Sequence, residues 1–173
     1  MSGTFAPRPG AAPLHRMVLA QAGMEARLML RNGEQLLLAV VIPVIVLIGA
    51  VQGADRLDLD LSGRPIDAFA PGVLALAVMS TAFTSLAIAT GFERRYGVIK
   101  RLGSSPLPRT GLLLGKVGAL LLVELLQGAV ITAVALGLGW DPDVSVVAVL
   151  LTVVAGTAAF AALGLLVAGA LRA

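Results

Sequence analysis

Glu93-Arg94-Arg95-Tyr96-Gly97-Val98-Ile99-Lys100-Arg101-Leu102-Gly103-Ser104-Ser105-Pro106-Leu107-Pro108-Arg109 is the most basic stretch of an otherwise apolar chain, and it lies between two long hydrophobic runs. Arg94, Arg95, Lys100, Arg101 and Arg109, with Lys116 just beyond, face a single acid, Glu93. Positive charge gathered at the edge of an apolar run marks the cytoplasmic side of a membrane helix. Read this way, the stretch is a short cytosolic connection. The runs on either side of it are membrane spans.

Composition agrees. The 173 residues are 58% hydrophobic and 13% charged, with a mean hydropathy of +0.95. Soluble domains hold about 45–50% apolar and about 25% charged residues, so the chain belongs to the membrane class. Its basicity follows from topology rather than from nucleic-acid binding, because the cations sit at span edges instead of on one polar face. Cysteine is absent and His15 is the only histidine. That excludes disulfides, thiolate metal sites and cysteine nucleophiles, and leaves no histidine pair for a metal or acid–base centre.

Moving outward from the central stretch, four apolar runs predict an all-α, polytopic membrane protein with spans at about 36–54, 69–92, 111–140 and 144–171. Residues 1–12, rich in Pro and Gly, read as a disordered cytosolic tail, with no signal-peptide pattern. Residues 13–34 predict an amphipathic helix lying at the membrane interface. Leu14, Met17, Val18, Met24, Leu28 and Met29 form its apolar side, with Arg16, Gln21, Glu25 and Arg31 opposite. Residues 35–173 make up the transmembrane domain. Pro43 falls inside the first span, where neighbouring helices can repair the lost hydrogen bond.

Charge counts set the topology. Ten of the thirteen basic residues lie in the N-terminal segment and in Arg94–Lys116, and Arg172 joins them on the same side. The two other connections carry two basic and six acidic residues. Both termini are therefore expected in the cytoplasm.

Several polar residues fall inside the spans. Ser80 and Thr84, like Thr81 and Ser85, are spaced i,i+4 on one helix face, where hydroxyls either pack helices or line a substrate path. Glu124 is a carboxyl within a span, an expensive position that calls for a protein or water environment. Gln127 lies three residues on, within reach of it, and the same two roles apply to this pair. Gly111-xxx-Gly115, with Gly118 a turn later, would let another helix approach closely.

Catalytic motifs are missing. Gly111-Leu112-Leu113-Leu114-Gly115-Lys116 is one residue short of a phosphate-binding loop, and Val117 stands where Ser or Thr is needed. There is no G-x-S-x-G elbow and no H-E-x-x-H zinc site. No inverted repeat or set of intramembrane ion ligands suggests a secondary transporter.

The sequence E-R-R-Y-G-V-I-K-R-L-G-S-S-P-L-P-R, followed by G-L-L-L-G-K, resembles the loop after the second membrane helix of ABC-2-type transporter permeases, especially those of the bacterial drug-exporter branch. Glu93, Arg94, Gly97, Val98, Ile99, Leu102, Ser105, Pro106 and Leu107 match the family's E-[RK]-x-x-G-[TV]-[LI]-x-x-L-x-x-[ST]-P-[LV] pattern. The helix ending R-N-G-E-Q and the proline in the first span are similar to the family's connecting helix and first span. In that family the patterned run forms a coupling helix seated in a groove of the ATPase subunit.

The resemblance implies a permease subunit of an ATP-driven exporter in the bacterial plasma (inner) membrane, taking a drug-like or lipid-like substrate and contributing to drug resistance. It implies no enzyme activity and no directly bound cofactor, because ATP and magnesium would be used by a separate ABC ATPase subunit. The permease would work as a homodimer or as a heterodimer with another permease. At the ATPase interface, Glu93, Arg94, Lys100 and Arg101 would pair charges and Val98, Ile99 and Leu102 would pack, with Gly97 and Pro106 bounding the helix. Family members carry six spans where four are read here, so either a fragment lacking two C-terminal helices is expected, or those helices are encoded separately. The competing reading is a membrane scaffold or assembly protein that transports nothing.

Overall fold

A computed structural model describes residue 10 and residues 12–57, 63–98, 101, 106–143 and 145–170. Most of the expected tail, Asp58 and Asp60 of the acidic loop, Ile99, Lys100 and Leu102 of the coupling run, and Arg172 lie outside the described residues. Among the described residues the secondary structure is entirely helical. The helices are α1 (Leu14–Arg31), α2 (Gly33–Arg56), α3 (Pro65–Ser80), a π-helical turn (Thr81–Ser85), α4 (Leu86–Arg95), α5 (Arg109–Gly137) and α6 (Val146–Ala170). Four helical stretches are long and apolar enough to cross a bilayer: Gly33–Arg56, Pro65–Arg95, Arg109–Gly137 and Val146–Ala170. The second joins α3, the π turn and α4 into one rod. This is a multi-pass helical membrane protein.

Local chemistry sets the helix ends. The Asn32 side chain caps α2, its Oδ1 accepting the Gln35 backbone N–H at 3.2 Å, and Glu34 adds a carboxylate in the first turn. Pro65 occupies the first turn of α3, where its missing N–H costs nothing. At the end of α5, Gly139 takes a φ of 88°. Trp140 N–H then donates to Ala135 O and Gly139 N–H to Leu136 O, both at 3.0 Å, closing a Schellman cap.

Two helix ends differ from the expected boundaries. The second span continues past Phe92 to Arg95, which gives Glu93 and Arg94 to the membrane helix instead of to a separate stub. It stops at Gly97, with a φ of 68°, and the Gly97 N–H turns back to Arg94 O at 3.2 Å. Gly97 thus ends the helix, because the left-handed conformation breaks the ladder. A new turn follows, with Arg101 N–H donating to Gly97 O at 3.3 Å. The third span starts at Arg109 and ends at Gly137.

The spans are staggered. Gln35 Nε2 donates to Ser85 Oγ at 2.7 Å, which sets the start of α2 level with the π turn. Ser85 lies ten residues before Arg95, so the second span projects about 15 Å beyond that level. α5 projects similarly, since the Gln127 side chain meets Ala39 O eighteen residues, or about 27 Å, after Arg109. α1 fills the space left beside this projection. Leu14 lies against Gly111, and Gln21 and Ala22 lie against Gly115 and Gly118, so the expected close-approach glycines of α5 receive α1 itself.

Consequently part of the polar side of α1 packs on protein. Gln21 is buried and Glu25 half-buried on the α5 side, whereas Leu19, Met24 and Leu28 remain exposed. Glu25 pairs there with Lys116 of α5, and Gln21 donates to Glu25 within α1.

Toward the acidic end, Leu47 and Val51 of α2 pack with Ile66, Ala70, Val73 and Ala77 of α3 and Ile131 and Ala135 of α5. Nearer the basic end, Leu86, Leu120 and Ala161 join α4, α5 and α6. At the acidic end Arg64 bonds Asp67 through Nε at 2.9 Å and Gly139 O through Nη1 at 2.8 Å, linking two connections. Its hydrogen bond to Asp67 holds the guanidinium proton still more firmly than usual.

α6 reaches the π turn through Gly164, where an added Cβ would stand 2.7 Å from Phe83 O. Backbone cannot yield as a side chain does. Gly164→Ala should therefore prise α6 away and destabilise the bundle by about 1–3 kcal/mol, read as a fall in thermal unfolding temperature in detergent. Gly156→Ala, whose Cβ would meet Val78 Cγ1 at an ordinary 3.8 Å, should leave that temperature unchanged. Equal effects would show that the close approach carries no energy.

Candidate functional site: the basic end and the polar spine

Lys116 occupies the first third of α5 and is 4% exposed. Its Nζ lies 2.5 Å from Glu93 Oε1 at the end of the second span and 2.9 Å from Glu25 Oε1 on α1. Gln21 Nε2 also donates to Glu25 Oε1, at 2.9 Å. One ammonium thus ties three helices together, and its own burial demands both carboxylates. Glu93 Oε2 is buried without a hydrogen-bond partner.

Arg94, the next residue, reaches the other way. Its Nη1 donates to Ala168 O and to Gly169 O at 3.0 Å. These are among the last carbonyls of α6, groups that a helix end leaves without intrahelical donors. Phe92 and Tyr96 stack with ring centroids 6.2 Å apart.

The expected coupling residues therefore divide. Glu93 and Arg94 hold the bundle's own helices. Gly97 ends the lever, and Val98 is half-buried just after it. Arg101 and Pro106 are exposed on the connection. Lys116 and Glu25 form an ion pair at this end that sequence reasoning missed. The available signal was an isolated Lys a full turn inside an apolar run, which needs an acid nearby.

Within the spans, Gln127 is 2% exposed. It accepts from Thr81 Oγ1 at 2.9 Å and donates to Ala39 O, bridging spans one, two and three. Glu124 does not bond Gln127. Its Oε2 meets Thr157 Oγ1 of α6, and Oε1 has no partner. The physical reason is that three residues turn a helix by 300°, so neighbouring faces meet different helices. Thr157 Oγ1 also donates to Val153 O at 2.8 Å. Ser80 bonds Ala77 O at 3.1 Å.

A groove of about 1020 Å³ opens along α1, α2, the second span and α5. Ser80, Thr84 and Ser85 lie on its wall, whereas Glu124 and Gln127 do not. Ser80 and Thr84 are thus exposed to the open groove, whereas Thr81, Glu124, Gln127 and Thr157 hold helices together.

Removing the ammonium leaves two mostly buried carboxylates facing each other. Lys116→Met should cost about 3 kcal/mol and release α1, read as faster proteolysis within residues 14–31. Adding Glu25→Gln and Glu93→Gln should restore most of the protection. Unchanged proteolysis of the single variant would mean that the ion cluster does not hold α1.

The family model described as "ABC-2 type transporter" matches residues 18–173. No curated protein and no solved structure matches the chain. The match covers α1, all four spans and the basic connection, so the spans, the staggered second helix and the patterned basic run belong to one permease architecture. The chain is a member of the ABC-2 type transporter family, the permease component of an ABC transporter.

Proposed function

We propose that the chain is the membrane subunit of an exporter in the bacterial plasma membrane, with its basic end in the cytoplasm. Separate ATPase subunits dock on the connection between Glu93 and Arg109. The permease functions as a homodimer or beside a second permease, and its cargo is drug-like or lipid-like. Permeases of this family normally pair with an ATPase, and the excess of basic residues at this end supports the orientation.

One observation carries the reading. The basic end is a single mechanical unit: Lys116 joins α1, the second span and α5, and Arg94 joins the second span to the end of α6. A partner pressing on the connection would load every span except the first directly, and the first through α1. Alternating access needs such a rigid lever.

Gly97 is the hinge of that lever. Proline, fixed near a φ of −65°, cannot take Gly97's φ of 68°. Gly97→Pro should abolish substrate-dependent ATP turnover of the reconstituted complex and leave membrane insertion intact; normal turnover would sink the lever. Pull-down from gently solubilised membranes should bring down a soluble ATPase with the wild type and none when residues 98–102 are scrambled, a change that spares the bundle contacts of Glu93 and Arg94. If neither form captures an ATPase, the scaffold reading takes over.

Glu124→Gln separates path from packing. The amide keeps a hydrogen-bonding contact with Thr157, so transport rate and selectivity should stay within about twofold. A change in selectivity would return Glu124 to the substrate path.

A further inference from the structure

We propose that the groove beside the second span binds an amphiphile with an ammonium head, the head at the basic end and the apolar body along α2. The proposal deepens the permease reading and rests on it for its meaning as transport. As a binding site it stands on the groove alone.

Size comes first. At about 1020 Å³ the groove is at the upper end of the range for small-molecule sites, roomy enough for a drug-sized or single-chain amphiphile. Most of its wall is apolar, with Leu38 and Ile42 of α2 facing Leu76 and Ile88 of the second span. Thr84 and Ser80 add exposed hydroxyls along one side. Such walls take an apolar body with a few polar substituents.

Charge selects the head. Glu25, Glu34 and Glu93 line the end nearest α1 against one cation, Lys116. Three carboxylates and one ammonium give a formal charge of −2 there. Among the described lining residues the one cation, Lys116, is not available to an anionic ligand, because it is buried and already engaged by Glu93 and Glu25. Arg27 and Arg31 of α1 are not among the lining residues. Phe92, half-exposed on the groove and backed by Tyr96, offers a ring face of the kind that attracts an organic cation. A purely anionic head, with no ammonium of its own, would find no unengaged cation among the described lining residues.

The ammonium could belong to a lipid head such as phosphatidylethanolamine or to a free amphiphilic amine, and one experiment distinguishes them. The full chain, in nanodiscs of phosphatidylglycerol and without any ATPase, is photolabelled with a diazirine-bearing hexadecyltrimethylammonium. A hexadecyl sulfate carrying the same diazirine serves as the anionic control. Mass spectrometry should place the ammonium label on residues 76–92. Thr84→Trp, which fills the groove from an exposed position, should reduce that label about tenfold, and Glu34→Gln should weaken it less. Sulfate labelling should be unaffected by either change.

Groove labelling by the sulfate that equals the ammonium's, or ammonium labelling indifferent to Thr84→Trp, would overturn the proposal. With the signal established, doping the discs with phosphatidylethanolamine assigns the source: competition identifies a lipid head, and its absence a free amine. Because no ATPase is present, failure here leaves ATPase docking untouched, and failure of docking leaves this site standing.

Discussion

A lysine ammonium buried in an apolar helix bundle cannot stand alone, and the basic end of this protein is arranged around that constraint. Lys116 draws Glu93 from the second span and Glu25 from α1 to within 2.5 and 2.9 Å. α1 lies against a row of glycines on α5, a contact that offers close approach but little apolar area. The charges give that contact direction, and the cost of leaving any one of them unpaired makes it exclusive.

The stagger of the spans follows from the same end. The second and third spans project beyond the start of the first, and the projection is what α1 covers. The first span then begins at Asn32–Gly33, level with the π turn, where Gln35 meets Ser85. One turn deeper, Gln127 collects Thr81 and the Ala39 carbonyl. These polar contacts form a spine through a bundle that has little apolar driving force between its helices once in lipid. Glu124 and Thr157 add the fourth helix to it. π turns recur at functional sites, and this one borders the open groove.

Much of this was legible in the chain. Span number, the basic connection and the acidic connections follow from hydropathy and charge, since backbone satisfaction in lipid leaves only helices. Family membership follows from the run around Gly97. What the sequence could not give was pairing. Glu93 reads as a docking charge because it stands among arginines, and only the fold brings Lys116 to it from 23 positions away. Gln21 and Glu25 read as the wet side of α1 because a helical wheel assumes lipid or water outside and nothing charged inside. Gln127 and Glu124 read as partners because they are adjacent on one helix, while each finds a hydroxyl on a different neighbour. The π turn has no period of its own; four hydroxyls in six residues were its only sign.

The division of labour among polar residues then bears on mechanism. Groups that bridge helices, such as Lys116, Gln127 and Glu124, must keep their partners through any cycle or exchange them for others at comparable cost. Groups on the groove wall, such as Ser80 and Thr84, carry no such obligation and can meet a ligand. Arg94 belongs to both worlds, for it closes α6 while sitting three residues before Gly97. A rotation of the connection about Gly97 need not disturb the buried ion cluster at all. A pull along the second span must disturb it, because Glu93 would move relative to Lys116. Of the two motions, rotation at Gly97 that leaves Lys116 paired is the cheaper, because no buried charge is separated from its partner.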